Sequence, residues 1–218
     1  EALLDGAALF AAVRRVARAL AAVGEPVAGA AAAVAESLGR APRAGVELDA
    51  LARDAVAGDW DSARALAARL DVDDDALVTL LDHAARPALR RAAAAARPAL
   101  ARHAPGARGL CPLCGAPPLL AELRGKERVR TLRCGRCAAS WEFARAACPA
   151  CGERDHRRLT ALHGEGEADY RRADCCDSCR TYVKALATLD PIPTDALLAT
   201  DLATSALDWA AVERGYHR

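Results

Sequence analysis

Nine cysteines constrain this sequence more than any other feature, and eight of them form four Cys-x-x-Cys pairs. The pairs are Cys111/Cys114, Cys134/Cys137, Cys148/Cys151 and Cys176/Cys179, and Cys175 is the ninth cysteine. Nineteen residues lie between the first pair and the second, and twenty-four lie between the third and the fourth. The first spacing falls within the range typical of a metal ribbon, in which two pairs supply four thiolates to one ion, and the second spacing is slightly wider.

The order of the pairs indicates an internal repeat of architecture, with a knuckle, a hairpin, a second knuckle and a strand in each copy. "CPLCG" and "CPACG" open the two copies, and "CGRC" and "CDSC" close them. Glycine follows the second cysteine of each opening knuckle, where the tight turn requires a positive φ. We therefore predict one metal site at Cys111, Cys114, Cys134 and Cys137, and a second at Cys148, Cys151, Cys176 and Cys179. The interleaved pairing of a cross-brace is the alternative that the matched order disfavours.

Four thiolates around one ion select zinc or iron in tetrahedral geometry, so we expect two metal ions per chain, iron or zinc. A complete four-cysteine site has no open coordination position for water or substrate. We therefore predict no catalytic residues and a protein that is not an enzyme. The rival hypothesis is a redox dithiol, but such a centre is usually a single pair at the start of a helix.

Composition limits the possible partners and compartments of the chain. The formal net charge is +1, and the segment from Cys111 to Cys179 contains twelve Arg or Lys and ten Asp or Glu. This near balance argues against nucleic-acid binding, although Trp141 and Tyr170 could stack bases. No segment has the roughly 20 uncharged apolar residues of a membrane span. The first residues lack a secretory signal pattern, so we predict a cytoplasmic protein in which disulfides are disfavoured. The sequence has no methionine, so we expect a fragment of a longer protein or a late start.

The pattern along the chain predicts an α+β protein. Helical periodicity fills residues 1–104, where Pro87 and Pro98 bracket an alanine-rich stretch. We predict a linker at 105–110, a first metal ribbon at 111–147, a second at 148–190 and a C-terminal helix at 191–218. Each ribbon is predicted to contain a hairpin, formed around "RGKER" in the first and "GEGE" in the second, and then a strand.

Several other residues have a structural interpretation that we prefer. Cys175 is expected to fill space in a strand, although a reactive thiol or a fifth ligand is the alternative. Neither His156 nor His163 is needed to complete a ligand set, so both are interpreted as surface or turn residues. The acids at 73–75 are expected to cap a helix and not to bind a cation.

Residues 111–218 resemble FdhE, the accessory protein of formate dehydrogenase. The resemblance rests on "CPLCGAPP", "LRCGRCAASWEFARAACPACG", "RRADCCDSCRTYVK" and the tail "LATDLATSALDWAAVERGYHR". It implies an N-terminal α-helical domain, tandem rubredoxin-like modules, iron in the sites and assembly of the enzyme's catalytic subunit in the cytoplasm before export. The eight paired cysteines match the family positions, whereas Cys175 stands where the family more often has a non-ligand residue.

Two classes of function compete at this point. The first is an accessory or maturation factor that binds the catalytic subunit of a formate dehydrogenase during cytoplasmic assembly. The second is an electron-transfer or redox protein of rubredoxin type, which needs only about fifty residues and leaves the helical domain without a purpose. A nucleic-acid-binding zinc ribbon is a third hypothesis, which the charge count weakens. The partner-binding residues are unknown from the sequence.

Overall fold

A computed structural model of the chain describes residues 4–20, 22–24, 27–40, 47–100, 109–167 and 170–218. Two compact units divide the chain, residues 1–92 and residues 93–218. Among the described residues, no helix combines the length and the apolar character that crossing a bilayer requires. Of the predicted linker at 105–110, residues 105–108 lie outside the described ranges, so the linker and the domain boundaries stay predictions.

Five helices form the first part of the chain: α1 (Gly6–Leu20), α2 (Val27–Arg40), α3 (Leu48–Ala57), α4 (Asp61–Leu70) and α5 (Asp74–Leu100). In α1, Leu9 and Val13 are buried while the arginines at 14, 15 and 18 are exposed, as a 3.6-residue period requires. The core of this unit is small side chains and leucines, among them Val34, Leu51, Ala52, Leu66, Leu77, Leu80 and Leu81. Alanine lets these helices pack closely at little cost in side-chain entropy.

Two sequence predictions about α5 have different outcomes. The carboxylate of Asp73 accepts a hydrogen bond from the amide of Ala76 at 2.7 Å, so the predicted helix cap is confirmed. Pro87 and Pro98 do not bracket a separate segment, because α5 is one helix of 27 residues that runs through both of them. Burial of leucines and alanines on the preceding turns stabilises the helix against the lost proline hydrogen bonds.

One six-stranded sheet contains the strands of both ribbons. The strands are β1 (Pro118–Arg124), β2 (Val129–Cys134), β3 (Ser140–Glu142), β4 (Leu159–Leu162), β5 (Arg171–Cys176) and β6 (Tyr182–Thr188). Their spatial order is β3-β2-β1-β6-β5-β4, so each ribbon is a three-stranded antiparallel meander. The two meanders join where β1 and β6 pair in parallel, from Leu120↔Lys184 to Arg124↔Thr188. Both predicted hairpins are confirmed.

Two short helices, α6 (Leu197–Ala203) and α7 (Ser205–Val212), form the C-terminal segment that the sequence predicted to be helical. Leu207 and Ala211 of α7 pack with Cys175 and Tyr182 of the sheet. The fully buried ammonium of Lys184 reaches Asp201 at 2.8 Å and Asp208 at 2.7 Å, which fixes both helices on β6. The predicted α+β class, with helices followed by tandem four-cysteine modules and a helical C-terminus, is confirmed.

Candidate metal centres

The four Cys-x-x-Cys pairs lie in four knuckle turns that share one hydrogen-bond pattern. In each turn the amide of the first cysteine donates to the carbonyl five residues ahead, at 2.8 to 3.0 Å. The carbonyl of the same cysteine accepts from the amide four residues ahead, also at 2.8 to 3.0 Å. The first cysteines are Cys111, Cys134, Cys148 and Cys176. This pattern turns the backbone around each pair, so both sulfurs of a pair project to the same side.

In the first site the turn before β1 meets the turn after β2. The sulfurs of Cys111 and Cys137 are 3.5 Å apart, those of Cys114 and Cys134 are 3.5 Å apart, and those of Cys114 and Cys137 are 3.7 Å apart. The amides of Arg136 and Cys137 both donate to the sulfur of Cys134 at 3.4 Å. Cys134 and Cys137 are fully buried.

The second site has the same construction between the turn before β4 and the turn after β5. The sulfurs of Cys148 and Cys179 are 3.6 Å apart, and those of Cys151 and Cys176 are 3.7 Å apart. Here Cys151 is exposed, whereas no cysteine of the first site is. The amide of Gly109, just before the first knuckle, donates to the carbonyl of Pro149 at 2.7 Å, which ties the two modules together.

The two groups fit a four-thiolate metal site. All four sulfurs of each group lie within 4.8 Å of one another, and a tetrahedral ion with metal–sulfur bonds of about 2.3 Å requires sulfurs about 3.8 Å apart. The sulfurs are far beyond the roughly 2.05 Å of a disulfide, and all nine cysteines are free. The structure therefore brings together the two sets that the sequence grouped and not the interleaved sets. Two metal ions could be held, and their identity belongs to the proposal below.

Backbone conformation separates the opening knuckles from the closing ones. Gly115 and Gly152 adopt φ of 70° and 81°, as the sequence predicted. Ala138 and Arg180 occupy the same position in the closing knuckles, with φ of 61° and 59°. A side chain in this left-handed region costs about 1 kcal/mol, so the closing knuckles are strained where the opening ones are not.

Cys175 lies outside both clusters. Its thiol is buried in the apolar cluster of the sheet and α7, and it points to the carbonyl of Ala173 at 3.6 Å. Burial, together with the carboxylates of Asp174 and Asp177, raises the pKa of Cys175 to about 12. In contrast, the pKa of Cys179 is lowered to about 7, because hydrogen bonds from Thr181 and the neighbouring thiols outweigh the effect of burial. The space-filling interpretation of Cys175 therefore fits the structure, whereas a fifth-ligand role does not.

The histidines near the second ribbon are also apart from the sulfurs. His156 lies in a short 3₁₀ helix (His156–Arg158) and is largely exposed beside Asp155. The ring of His163 contacts the carbonyl of Gly164 in the β4–β5 connection. Neither belongs to a group of potential metal ligands in the described part of the chain.

Two groups beside the second site were not singled out from the sequence. The hydroxyl of Thr181 lies 3.0 Å from the sulfur of Cys179 and 3.8 Å from that of Cys148. The buried guanidinium of Arg130 donates to the carbonyl of Ala147 at 2.7 Å, next to Cys148. An alignment of the two repeats places Thr181 and Ala139 at equivalent positions, and this difference is the signal that could have identified the hydroxyl.

Comparison with known proteins supports the sequence resemblance. Residues 146–218 match the model of the C-terminal domain of FdhE. A protein named FdhE homolog from Stutzerimonas stutzeri is 38% identical over 112 residues, which are 50% of this chain and 36% of that protein. The homolog from Pseudomonas aeruginosa is 39% identical over 117 residues, which are 51% of this chain and 38% of that protein. The FdhE protein of Escherichia coli is 32% identical over 113 residues, which are 51% of this chain and 36% of that protein.

A solved structure extends the likeness to the fold of the whole chain. The crystal structure of the FdhE protein from Pseudomonas aeruginosa aligns with a TM-score of 0.55 and 24% identity, covering 100% of this chain and 94% of that one. At this identity the alignment shows a common fold alone, and the sequence matches span less than two-fifths of the curated relatives. The domain match and the named relatives show that residues 146–218 are similar in sequence to the C-terminal domain of FdhE, and the chain as a whole shares its fold with an FdhE protein.

Proposed function

We propose that this protein is a non-catalytic accessory factor that binds the catalytic subunit of a formate dehydrogenase during cytoplasmic assembly. The observation that carries the proposal is the pair of closed four-cysteine clusters in a chain whose residues 146–218 match the C-terminal domain of FdhE. All four tetrahedral positions of each site would be taken by sulfur, which leaves no position where a substrate could bind the metal. The clusters therefore fit a folded docking platform better than a catalytic centre.

Each four-cysteine site is proposed to hold one iron or zinc ion. Bound metal would supply the folding energy that fixes the short strands and turns of the ribbons. Elemental analysis after anaerobic purification is expected to give two metals per chain, with iron giving red colour and zinc none. Cys111→Ser and Cys148→Ser are each expected to lose one equivalent. A wild-type content below about 1.5 metals per chain would contradict the ligand assignment.

The C-terminal helices present a surface that suits a protein partner. Helix α7 has the sequence "SALDWAAV", and Trp209 is 70% exposed and Val212 is 54% exposed. On the adjoining α6, Leu202 is 73% exposed. Tryptophan is enriched among the residues that dominate binding at protein interfaces, and exposed apolar patches often mark interaction sites. We call Leu202, Trp209 and Val212 the C-terminal apolar surface and propose it as part of the contact with the subunit.

Electron transfer of the rubredoxin type is the second candidate function. The exposure of Cys151 favours it, because a partner could approach the second site closely. The helical unit of residues 1–92 argues against it as the main role, since a bare electron carrier does not need that unit.

Affinity capture in the native host tests the proposal. The tagged protein is expected to recover the catalytic subunit of a formate dehydrogenase, and deletion of the gene is expected to remove formate dehydrogenase activity. The matched control is the same capture with an untagged strain. Normal activity in the deletion strain, with no co-purifying subunit, would contradict the accessory role and return the electron-transfer hypothesis to first place.

A further inference from the structure

The closing knuckles of the two four-cysteine sites share one turn but differ in the side chain five residues after their first cysteine. The carbonyl five residues after the first cysteine belongs to Ala139 in the first site and to Thr181 in the second, and each accepts the cysteine amide. Ala139 has no side-chain donor, whereas the Thr181 hydroxyl lies 3.0 Å from the Cys179 sulfur. Once the sulfurs are thiolates, this hydroxyl can only donate, so the second site has an O–H···S hydrogen bond whose counterpart Ala139 cannot provide.

Solvent access also differs between the sites. Cys151 of the second site is exposed, whereas Cys134 and Cys137 of the first are fully buried. Cys148, Cys176 and Thr181 border a cavity of about 260 Å³, but both of these cysteines are buried, so the difference in solvent access rests on Cys151. The buried guanidinium of Arg130 borders the same cavity, where it forms an ion pair with Asp174 at 3.3 Å.

The Thr181 hydroxyl and the exposure of Cys151 act in the same direction on a bound iron. A ferric ion with four thiolates carries one negative charge, and gain of one electron makes it ferrous with two. A hydrogen bond to sulfur and solvent around the ligands each stabilise the state with more negative charge. The reduced form is therefore favoured more strongly in the second site than in the first.

We propose that the two sites are unequal, with the second as the redox-responsive site and the hydroxyl of Thr181 setting its reduction potential. The step is the transfer of one electron from a one-electron donor to ferric iron, with all four thiolates retained and no bond broken. The first site then stays in one oxidation state at potentials where the second changes. This inference rests on the proposed four-thiolate metal sites and not on the proposed partner.

Potentiometric titration of the full chain, loaded anaerobically with iron and reduced by dithionite, tests the inference. Two separate transitions are expected in the thiolate-to-iron absorption bands. The Cys111→Ser and Cys148→Ser variants, each with one site remaining, assign the more positive transition to the second site. Thr181→Val is expected to move that transition to a more negative potential and leave the other in place. Thr181→Ser, which keeps the hydroxyl, is expected to restore most of the shift.

The reciprocal change is Ala139→Ser, which places a hydroxyl in the first site and is expected to move the first transition to a more positive potential. Coincident transitions in the wild type, or a Thr181→Val variant with unchanged potentials, would overturn the inference while leaving the metal sites and the partner untouched. Failure of the wild type to bind two irons would instead overturn the proposed sites themselves. Capture of the subunit is a separate readout, so its failure is distinguishable from both outcomes.

Discussion

At the scale of single residues, the four knuckles adopt one turn, although only two of them have glycine at the residue that needs it. Gly115 and Ala138 take nearly the same φ, 70° and 61°. A Cβ at Gly115 would meet no atom within 4 Å. The difference between alanine and glycine at this position is therefore a matter of backbone conformation and not of space.

This equivalence predicts opposite effects for two exchanges. Gly115→Ala is expected to lower the free energy of unfolding of the metal-loaded protein by about 1 kcal/mol, because alanine is disfavoured at positive φ. Ala138→Gly is expected to raise it by up to about 1 kcal/mol, since glycine removes the same strain. Denaturant unfolding at fixed metal concentration measures both. Two changes of the same sign would show that side-chain contacts, and not the turn, govern this position.

Cys175 and its neighbour Cys176 allow a test of ligand identity in adjacent residues. Cys175→Ser is expected to leave two metals per chain and to cost about 1 to 3 kcal/mol of stability, because a hydroxyl would replace a thiol in an apolar cluster. Cys176→Ser is expected to lose one metal. Elemental analysis and unfolding of both variants provide the measurement. Loss of a metal from the Cys175 variant would place that thiol in the ligand set.

The sequence alone was sufficient to group the eight cysteines, because ligand spacing and the order of knuckle types are both local features. Gly115 and Gly152 were predictable for the same reason. The contact of Thr181 with Cys179 was not predictable, because the residues near Thr181 in the sequence do not determine the rotamer of its hydroxyl. The positive φ of Arg180 was also hidden, because local propensity disfavours that conformation and only the closed turn requires it.

At the scale of elements, a buried charge cluster holds the C-terminal helices on the sheet. The ammonium of Lys184 bonds to Asp208 at 2.7 Å, and Asp208 also accepts from the hydroxyl of Tyr182 at 2.8 Å. Arg218 adds a further contact to Asp201 at 2.5 Å. The pKa of Asp201 is lowered, because Arg218 and Lys184 outweigh the opposing effect of burial. The ionised carboxylate of Asp201 therefore contributes its full stabilisation at pH values above the ordinary pKa of aspartate. That contribution is lost as the pH falls through the lowered pKa of the folded state.

Replacement of the lysine tests this cluster. Lys184→Met is expected to lower the free energy of unfolding by about 2 kcal/mol, since the partly buried carboxylates of Asp201 and Asp208 lose the buried ammonium and keep only Arg218 of the cations in the described part of the chain. The chain has only one other lysine, Lys126, which is exposed in the β1–β2 turn, so Lys126→Met is the matched control with an expected change below about 0.5 kcal/mol. Thermal unfolding at neutral pH measures both variants. Equal effects would exclude a stabilising role for the cluster.

The elements were more predictable than their assembly. Each hairpin is coded by a polar turn between alternating strands, so β1, β2, β4 and β5 could be placed within a few residues. The parallel pairing of β1 with β6 joins residues more than sixty positions apart, and no local pattern specifies such a partner. The continuity of α5 through Pro87 was missed because packing, which is a tertiary effect, overrides the propensity of proline to end a helix.

At the scale of the whole molecule, the two units are stabilised by different kinds of interaction. Residues 1–92 bury leucine and alanine in a helical core, and the described part of this unit has no group of potential metal ligands. The second unit has short strands and four turns whose sulfurs converge on two points, an arrangement that metal ions complete. The division explains how a chain with only 4% aromatic residues can be stable, and it leaves exposed aromatic side chains available for contacts with a partner.

The exposed tryptophan of α7 provides the last prediction, which concerns the proposed partner. Trp209→Ala is expected to weaken capture of the formate dehydrogenase subunit at least about tenfold, because a large exposed aromatic ring contributes strongly when an interface buries it. Metal content and thermal stability are expected to stay unchanged, since 70% of the residue faces solvent. Tyr170→Ala is the matched control, because Tyr170 is 68% exposed and lies outside the C-terminal helices. Quantitative pull-down with purified subunit compares the two variants. If Tyr170→Ala weakens binding and Trp209→Ala does not, the contact lies at the β4–β5 hairpin and the C-terminal apolar surface has another use.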